Sequence, residues 1–248
     1  MKIYYRLSDS GYNKIKPEYI NNISCLDNFL TIFSPNDVIL VCDNVSDETW
    51  EKLHKLYETV VGSILRTNGG SSAAGFRIVF DMALKQDDDE IIYFVEGDFI
   101  HRMGSKDALL DAFNIGAAFV TLYNHPDKFI PANNGGNPYV DIDGGYVTKI
   151  YKGKFAFWFI TDSTVMTFAS KVSTLKKCES VIRNYITGTY PRDFAMFNEL
   201  KSLGFPLLQP LITFSTHGEI AWLADLIGTE YSGLPLEKAW GIIINKLT

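Results

Sequence analysis

Cysteine is scarce in this chain: Cys25, Cys42 and Cys178 are the only three in 248 residues, and no two share a C-x-x-C spacing. That excludes a disulfide framework and a zinc ribbon, and it suits a reducing compartment. No apolar run is long enough to cross a bilayer, so no integral membrane segment is expected. The opening Met1-Lys2-Ile3-Tyr4-Tyr5-Arg6 has the composition of a strand and not of a secretory leader. A cytoplasmic location is therefore expected. Positive charge is also lacking. The formal net charge is −6 and the Lys and Arg residues are scattered, which argues against a nucleic-acid partner. The turn after the first strand lacks G-x-G-x-x-G, which excludes a dinucleotide-binding dehydrogenase.

What is present is the balance of a soluble globular protein, 46% hydrophobic and 21% charged, so disorder is not the dominant state. Its length suits a single domain over 1–248. Residues 2–7 pattern as a strand closed by Ser8-Asp9-Ser10-Gly11. Val38-Ile39-Leu40-Val41 is apolar without alternation, as in a parallel strand buried on both faces, and it ends on Asp43-Asn44. A helix is predicted over 46–57, with Ser46 as N-cap and Thr49 three residues in. Residues 60–65 form a further strand, leading into Asn68-Gly69-Gly70-Ser71-Ser72 and a helix carrying Ala73, Phe76, Val79, Phe80 and Ala83. Ile91-Ile92-Tyr93-Phe94-Val95 is the most marked strand and ends on Glu96-Gly97-Asp98.

This succession predicts βαβ units on an α/β, mostly parallel central sheet flanked by helices. Ligands of such sheets bind beyond the carboxyl ends of the strands, where Ser8, Asp43, Asn68 and Asp98 all fall. Beyond residue 100 the pattern changes. Strands are predicted at 117–123, 155–160, 164–168 and 211–214, and helices at 171–184, 193–203 and in a closing region after 219. Asp141-Ile142-Asp143-Gly144-Gly145 is expected to be a hairpin turn, because it lacks the other oxygen ligands of a calcium loop.

Glu96 and Asp98, separated by Gly97, can turn toward one ligand where a buried strand stops. Hard divalent cations prefer carboxylate and phosphate oxygens, so such a pair suits Mn²⁺ or Mg²⁺ clamping a diphosphate. An ordinary solvated acidic turn has the same composition. The pattern resembles the D-x-D-type motif of GT-A glycosyltransferases, the fold of the family 2 group. It departs from that motif in carrying Glu at the first position. Tyr5-Arg6-Leu7-Ser8-Asp9 is similar to the start of the small chlorovirus glycosyltransferase domains.

The resemblance implies a Rossmann-like GT-A domain with a nucleotide-sugar-binding half at 1–100. An acceptor-binding half and C-terminal helical region would occupy 101–248. It implies transfer of a sugar from a nucleoside-diphosphate donor, UDP favoured, to a glycan or other hydroxyl acceptor. Asp98 and His217 would hold the metal, with His101 as the alternative histidine. Glu96, Gly97, Arg6, Ser8, Asp43, Asn68, Gly69 and Arg77 would hold the donor, Arg77 on its diphosphate. Arg6 and Ser8 are equally able to cap a turn, Arg77 to form a surface ion pair, and His54 and His125 are read as structural. An inverting enzyme needs a general base, for which Asp193 and Asp162 are the candidates. Asp193 also suits a first helical turn through the dipole alone. Two alternatives remain: a sugar nucleotidyltransferase, which should carry a basic Gly-rich loop after the first strand, and an inactive nucleotide- or glycan-binding module.

Overall fold

A computed structural model describes residues 1–10, 15–142 and 146–224. The closing helical region, and Asp143, Gly144 and Gly145 of the expected hairpin turn, lie outside these. In chain order the strands are β1 (Lys2–Leu7), β2 (Val38–Asp43), β3 (Ser63–Thr67), β4 (Ile91–Glu96), β5 (Phe99–His101), β6 (Phe119–Val120), β7 (Ile150–Lys152), β8 (Phe157–Thr161), β9 (Phe168–Lys171), β10 (Leu207–Pro210) and β11 (Ser215–His217). The helices are α1 (Asn22–Leu30), α2 (Asp47–Tyr57), α3 (Ser72–Ala83), α4 (Ser105–Asn114), α5 (Val172–Lys177), α6 (Glu179–Tyr185) and α7 (Asp193–Ser202).

One sheet runs β3-β2-β1-β4-β9-β6-β10-β8-β7 through both halves of the chain. The four strands β3, β2, β1 and β4 are mutually parallel. β9 enters antiparallel to β4 and β6, and β8 is antiparallel to β10 and β7. Only β9 and β8 therefore oppose the common direction, so the sheet is mixed but mostly parallel. Both of its faces are covered. Ile3, Tyr5, Leu7, Tyr93 and Val95 pack with α1, α2 and α4, while Tyr4, Val41, Ile92 and Phe94 pack with α3, α5, α6 and α7. Burial on two faces explains the unbroken apolar runs of β2 and β4. All three cysteines are buried and free.

Local chemistry accounts for the boundaries. The Ser46 hydroxyl accepts the Thr49 N–H at 3.1 Å and starts α2, and Ser71 caps α3 through the Ala74 N–H. β3 begins later than 60 because the Val60 and Val61 amides bond back to the Tyr57 carbonyl as the end of α2. The expected strand at 164–168 begins as a turn, with Val165 and Met166 both left-handed (φ 53° and 56°), and only then becomes β9. The expected strand at 211–214 is a connector: β10 precedes it and β11 follows. The 171–184 helix breaks at Cys178 into two.

His101 is placed by the short β5 in the core, edge-to-face with the stacked rings of Phe29 and Phe33, with Nε2 2.7 Å from the Tyr93 hydroxyl. Burial lowers its pKa from 6.5 to about 3. The unfolded chain takes up this proton near pH 6.5, whereas the folded protein refuses it until about pH 3. The stability this histidine contributes is therefore full above pH 6.5 and lost as pH falls through that window. His101→Phe should flatten the decline in stability between pH 6.5 and 5, followed by urea unfolding at stepped pH. A slope identical to wild type would show that His101 titrates normally in the fold.

Candidate active site

The parallel register β1–β2–β4 aligns strand ends: Arg6 lies opposite Val41 on one side and opposite Glu96 on the other. Side chains that leave these ends therefore converge. They line a cleft of about 480 Å³ with Ser8, Asp9, Ser10, Lys16, Asn44, Ser72, Gly97 and Asp98, closed on the far side by Val165, Met166, Tyr190, Pro191 and Asp193.

Arg6 organises the floor. Its guanidinium is 9% exposed, lies over the Phe76 ring, donates to Glu96 Oε1 at 2.9 Å and to the Ser72 carbonyl at 3.2 Å. Burial lowers its pKa, and the nearby carboxylates Glu96, Asp43 and Asp98 oppose that shift. Asp43 is fixed by Thr67 Oγ1 and the Gly69 N–H, both at 2.8 Å on Oδ1, and by Asn44 Nδ2 on Oδ2. Gly75 leaves room for it, since a Cβ there would stand 2.3 Å from Asp43 Oδ2.

Gly97 is required by close approach. A Cβ at that position would lie 2.2 Å from Leu7 Cδ2 and 2.9 Å from the Arg6 carbonyl oxygen, so the turn between Glu96 and Asp98 can cross the end of β1 only without a side chain. His217 arrives from the far end of the chain by strand pairing. β11 runs antiparallel to β5 with His217 opposite Phe99, and the Gly218 N–H donates to the Asp98 carbonyl at 2.7 Å. A Cβ on Gly218 would meet that same carbonyl oxygen at 2.7 Å. His217 Nε2 consequently lies 3.4 Å from Asp98 Oδ2, and one ligand atom each from Glu96, Asp98 and His217 falls within 4.8 Å of the others. Two carboxylate oxygens and an imidazole nitrogen could hold a hard divalent ion such as Mn²⁺ or Mg²⁺, the nitrogen favouring Mn²⁺, which stands with the transition metals and is less strict in its geometry than Mg²⁺.

Other expected residues stand elsewhere. Arg77 donates to the Ile186 carbonyl and does not line the cleft, because α3 turns it toward the segment after α6. Its expected diphosphate contact is not one that this geometry provides. Asn68 does not line the cleft, and Gly69 acts through its N–H on Asp43. Asp162 is fully buried and accepts Asn137 Nδ2 at 2.9 Å and the Tyr146 hydroxyl at 2.7 Å. It belongs to a sealed network with Asp127, Lys128 and Ser163 that ties the irregular segment after β6 to the sheet. A general base must reach the acceptor, so Asp162 is withdrawn from that role. Asp193 does line the cleft, and its Oδ2 accepts the amides of Thr164 and Val165 at 3.3 and 2.9 Å. Ser8 lines the cleft with its hydroxyl 2.9 Å from that of Ser10. His54 pairs with Glu58 on α2, and His125 caps the turn at Asp127. Neither touches the cleft, in keeping with their structural reading.

Lys16, Tyr190 and the Val165–Met166 turn went unrecognised in the sequence. Tyr190-Pro191-Arg192 ahead of Asp193 was a usable signal, since proline fixes its own φ and restricts the residue before it at the approach to the helix. No local pattern marks Lys16, whose Nζ lies 3.0 Å from Asp98 Oδ2.

Gly75→Ala tests the Asp43 cradle. The clash falls on Oδ2 of a carboxylate that three donors hold in place, so if Asp43 meets a nucleotide, as the family resemblance implies, nucleotide affinity should drop about tenfold for a stability loss of about 1–3 kcal/mol. Calorimetry with UDP alongside urea unfolding reads both, and unchanged UDP affinity would remove Asp43 from the donor site.

No protein-family model and no curated protein matches the sequence. Solved structures do. TarS 1–349 from S. aureus superposes with a TM-score of 0.50 at 15% identity over 87% of this chain and 60% of that one. GalNAc-T7, solved with UDP, GalNAc and Mn²⁺, gives 0.53 at 11% identity over 84% and 42%. A putative glucose-1-phosphate thymidylyltransferase from Bacillus anthracis gives 0.53 at 12% identity over 89% and 91%. This chain thus spans about three-fifths of TarS 1–349 and less than half of GalNAc-T7. What these likenesses establish is the fold: a Rossmann-like GT-A sheet with helices on both faces.

Proposed function

We propose that this chain is a metal-dependent glycosyltransferase that moves a sugar from a nucleoside-diphosphate donor to a hydroxyl acceptor, a glycan being the acceptor class we favour. The observation that carries the reading is the triad of Glu96, Asp98 and His217 at the carboxyl edge of the parallel strands. The charge of the cleft supports it. Among the described residues lining it, five carboxylates (Asp9, Asp43, Glu96, Asp98, Asp193) face two cations (Arg6, Lys16), a formal −3. Such a cleft repels a diphosphate until a divalent ion intervenes. The ion, once bound, would neutralise the departing diphosphate.

The chain's own residues supply the rest. Arg6 holds Glu96 in place, and Asp43 and Ser8 meet the nucleotide. Asp193 takes the acceptor's proton as the acceptor oxygen bonds to the sugar and the sugar–phosphate bond breaks. UDP is the favoured nucleotide, because TarS was also solved with UDP-GlcNAc and GalNAc-T7 with UDP. The thymidylyltransferase likeness keeps a second reading in view, since that fold also serves nucleotidyl transfer. Against it, the turn after β1 offers Ser8, Asp9 and Ser10 where a nucleoside triphosphate would need cations, and Lys16, the one cation among the described residues of that loop, is paired with Asp98.

Asp98→Ala should abolish Mn²⁺ binding and donor turnover while circular dichroism stays native. Full activity in this variant, or in excess chelator, would sink the metal role. Asp193→Asn keeps an oxygen for the Thr164 and Val165 amides but cannot take a proton. It should lower kcat about 10²–10⁴-fold and leave UDP and Mn²⁺ affinities within twofold; retained kcat would remove the base.

A further inference from the structure

Lys16 carries the one solvent-accessible positive charge among the described residues lining the cleft. Arg6 is buried and committed to Glu96 and the Ser72 carbonyl. The Lys16 ammonium, 36% exposed, sits 3.0 Å from Asp98 Oδ2, and His217 Nε2 approaches that same oxygen at 3.4 Å. The backbone that carries it is anchored to the metal triad's own scaffold. The Ile220 N–H donates to the Ile15 carbonyl at 2.9 Å, and Ile20 lies where a Cβ on Gly218 would fall, 2.4 Å from its Cγ2. Lys16 is thus held over Asp98 by the turn that follows His217.

A lysine ammonium and a divalent ion compete for one carboxylate oxygen, since the two cations repel each other, and a metal drawn in between His217 Nε2 and Asp98 Oδ2 would weaken the Lys16 contact. We infer that Lys16 is a counter-ion that changes partner: it holds Asp98 while the site lacks its metal, and it turns to the donor's diphosphate when the metal takes Asp98. The side chain has four rotatable carbons and a partly exposed head, so the exchange needs no backbone movement. Its consequence is cooperative binding of metal and diphosphate. Metal entry releases a positive charge beside the place where the diphosphate arrives, so each favours the other. The charge of the described lining gives this released cation its importance, because without Lys16 it is a formal −4 and a divalent ion leaves it at −2, whereas with Lys16 the sum is −1. The inference rests on the metal-site reading given above.

Neutralising Lys16 should therefore act in opposite directions on two ligands. By calorimetry, Lys16→Gln should bind Mn²⁺ alone about fivefold more tightly, the scale of one partly exposed ion pair. With Mn²⁺ saturating, it should bind UDP about tenfold more weakly, the scale of one charge-assisted hydrogen bond. A lysine with only a structural role would shift both in the same direction or neither, and its loss would register in the melting temperature. Wild-type protein that binds Mn²⁺, paired with a Lys16→Gln variant that binds it no more tightly or keeps its UDP affinity, overturns the exchange and leaves the metal site standing. Wild-type protein that binds no Mn²⁺ overturns both.

Discussion

A guanidinium buried at the end of a parallel strand is costly unless anions surround it, and Arg6 is in that position. Its desolvation is opposed by Glu96, Asp43 and Asp98, which come from the ends of two strands, β2 and β4. The interaction explains why acidic groups that repel one another stand together at one edge of the sheet. It also explains why Glu96 points into the site, since one of its oxygens is held at 2.9 Å by Arg6. The strand register makes the pairing possible, because Arg6 and Glu96 are direct neighbours across β1 and β4. The glycines follow from the same crowding. Gly97 passes over Leu7, and Gly75 passes behind Asp43, at distances no side chain allows.

The opposite wall is held differently. Val165 and Met166 are non-glycine residues with positive φ, a conformation that costs roughly 1–3 kcal/mol each. Asp193 accepts the amides of Thr164 and Val165, and bonds to a charged acceptor contribute about 1.5–3 kcal/mol each. The two totals are of one size, so this carboxylate is sufficient to hold the strained turn. Asp193 therefore has a structural task whatever its chemical one. Truncating it to alanine confounds the two, whereas asparagine separates them.

Much of the first half was legible because its signals are local. The apolar runs of β2 and β4, the Ser46 cap and the small residues that open α3 each state their structure within a few positions. The placement of Asp43 and Asp98 at strand ends follows from the same runs. The second half was less legible because its order is set at long range. Asp162 has the composition of an exposed turn in Thr161-Asp162-Ser163, yet Asn137 and Tyr146 enclose it from far along the chain. Residues 211–214 form an apolar run, but the flanking segments hold the strands, and β10 is disguised by the buried Gln209 and by Pro210. Arg77 sits in a stretch that resembles a donor motif, but α3 turns it toward Ile186. Lys16 becomes meaningful only once β11 brings His217 and Gly218 beside Asp98.

The fold alone does not decide the chemistry, because a sheet of this kind superposes on sugar transferases and on a nucleotidyltransferase alike. The distinction lies in where positive charge is found. A triphosphate site places fixed cations along the loop after the first strand. Here Ser8, Asp9 and Ser10 open that loop with hydroxyls and a carboxylate, its one cation among the described residues, Lys16, is paired with Asp98, and the described lining of the cleft sets five carboxylates against two cations. A site that is negative when empty is suited to a ligand that arrives with, or after, its own divalent ion. On the proposed reading that requirement gives the β5–β11 pairing a role, for without it the imidazole of His217 would not stand beside Asp98 and the proposed metal position would rest on two carboxylates. The short two-stranded sheet, the smallest element of the architecture, is thus what joins the late part of the chain to the edge of the early one.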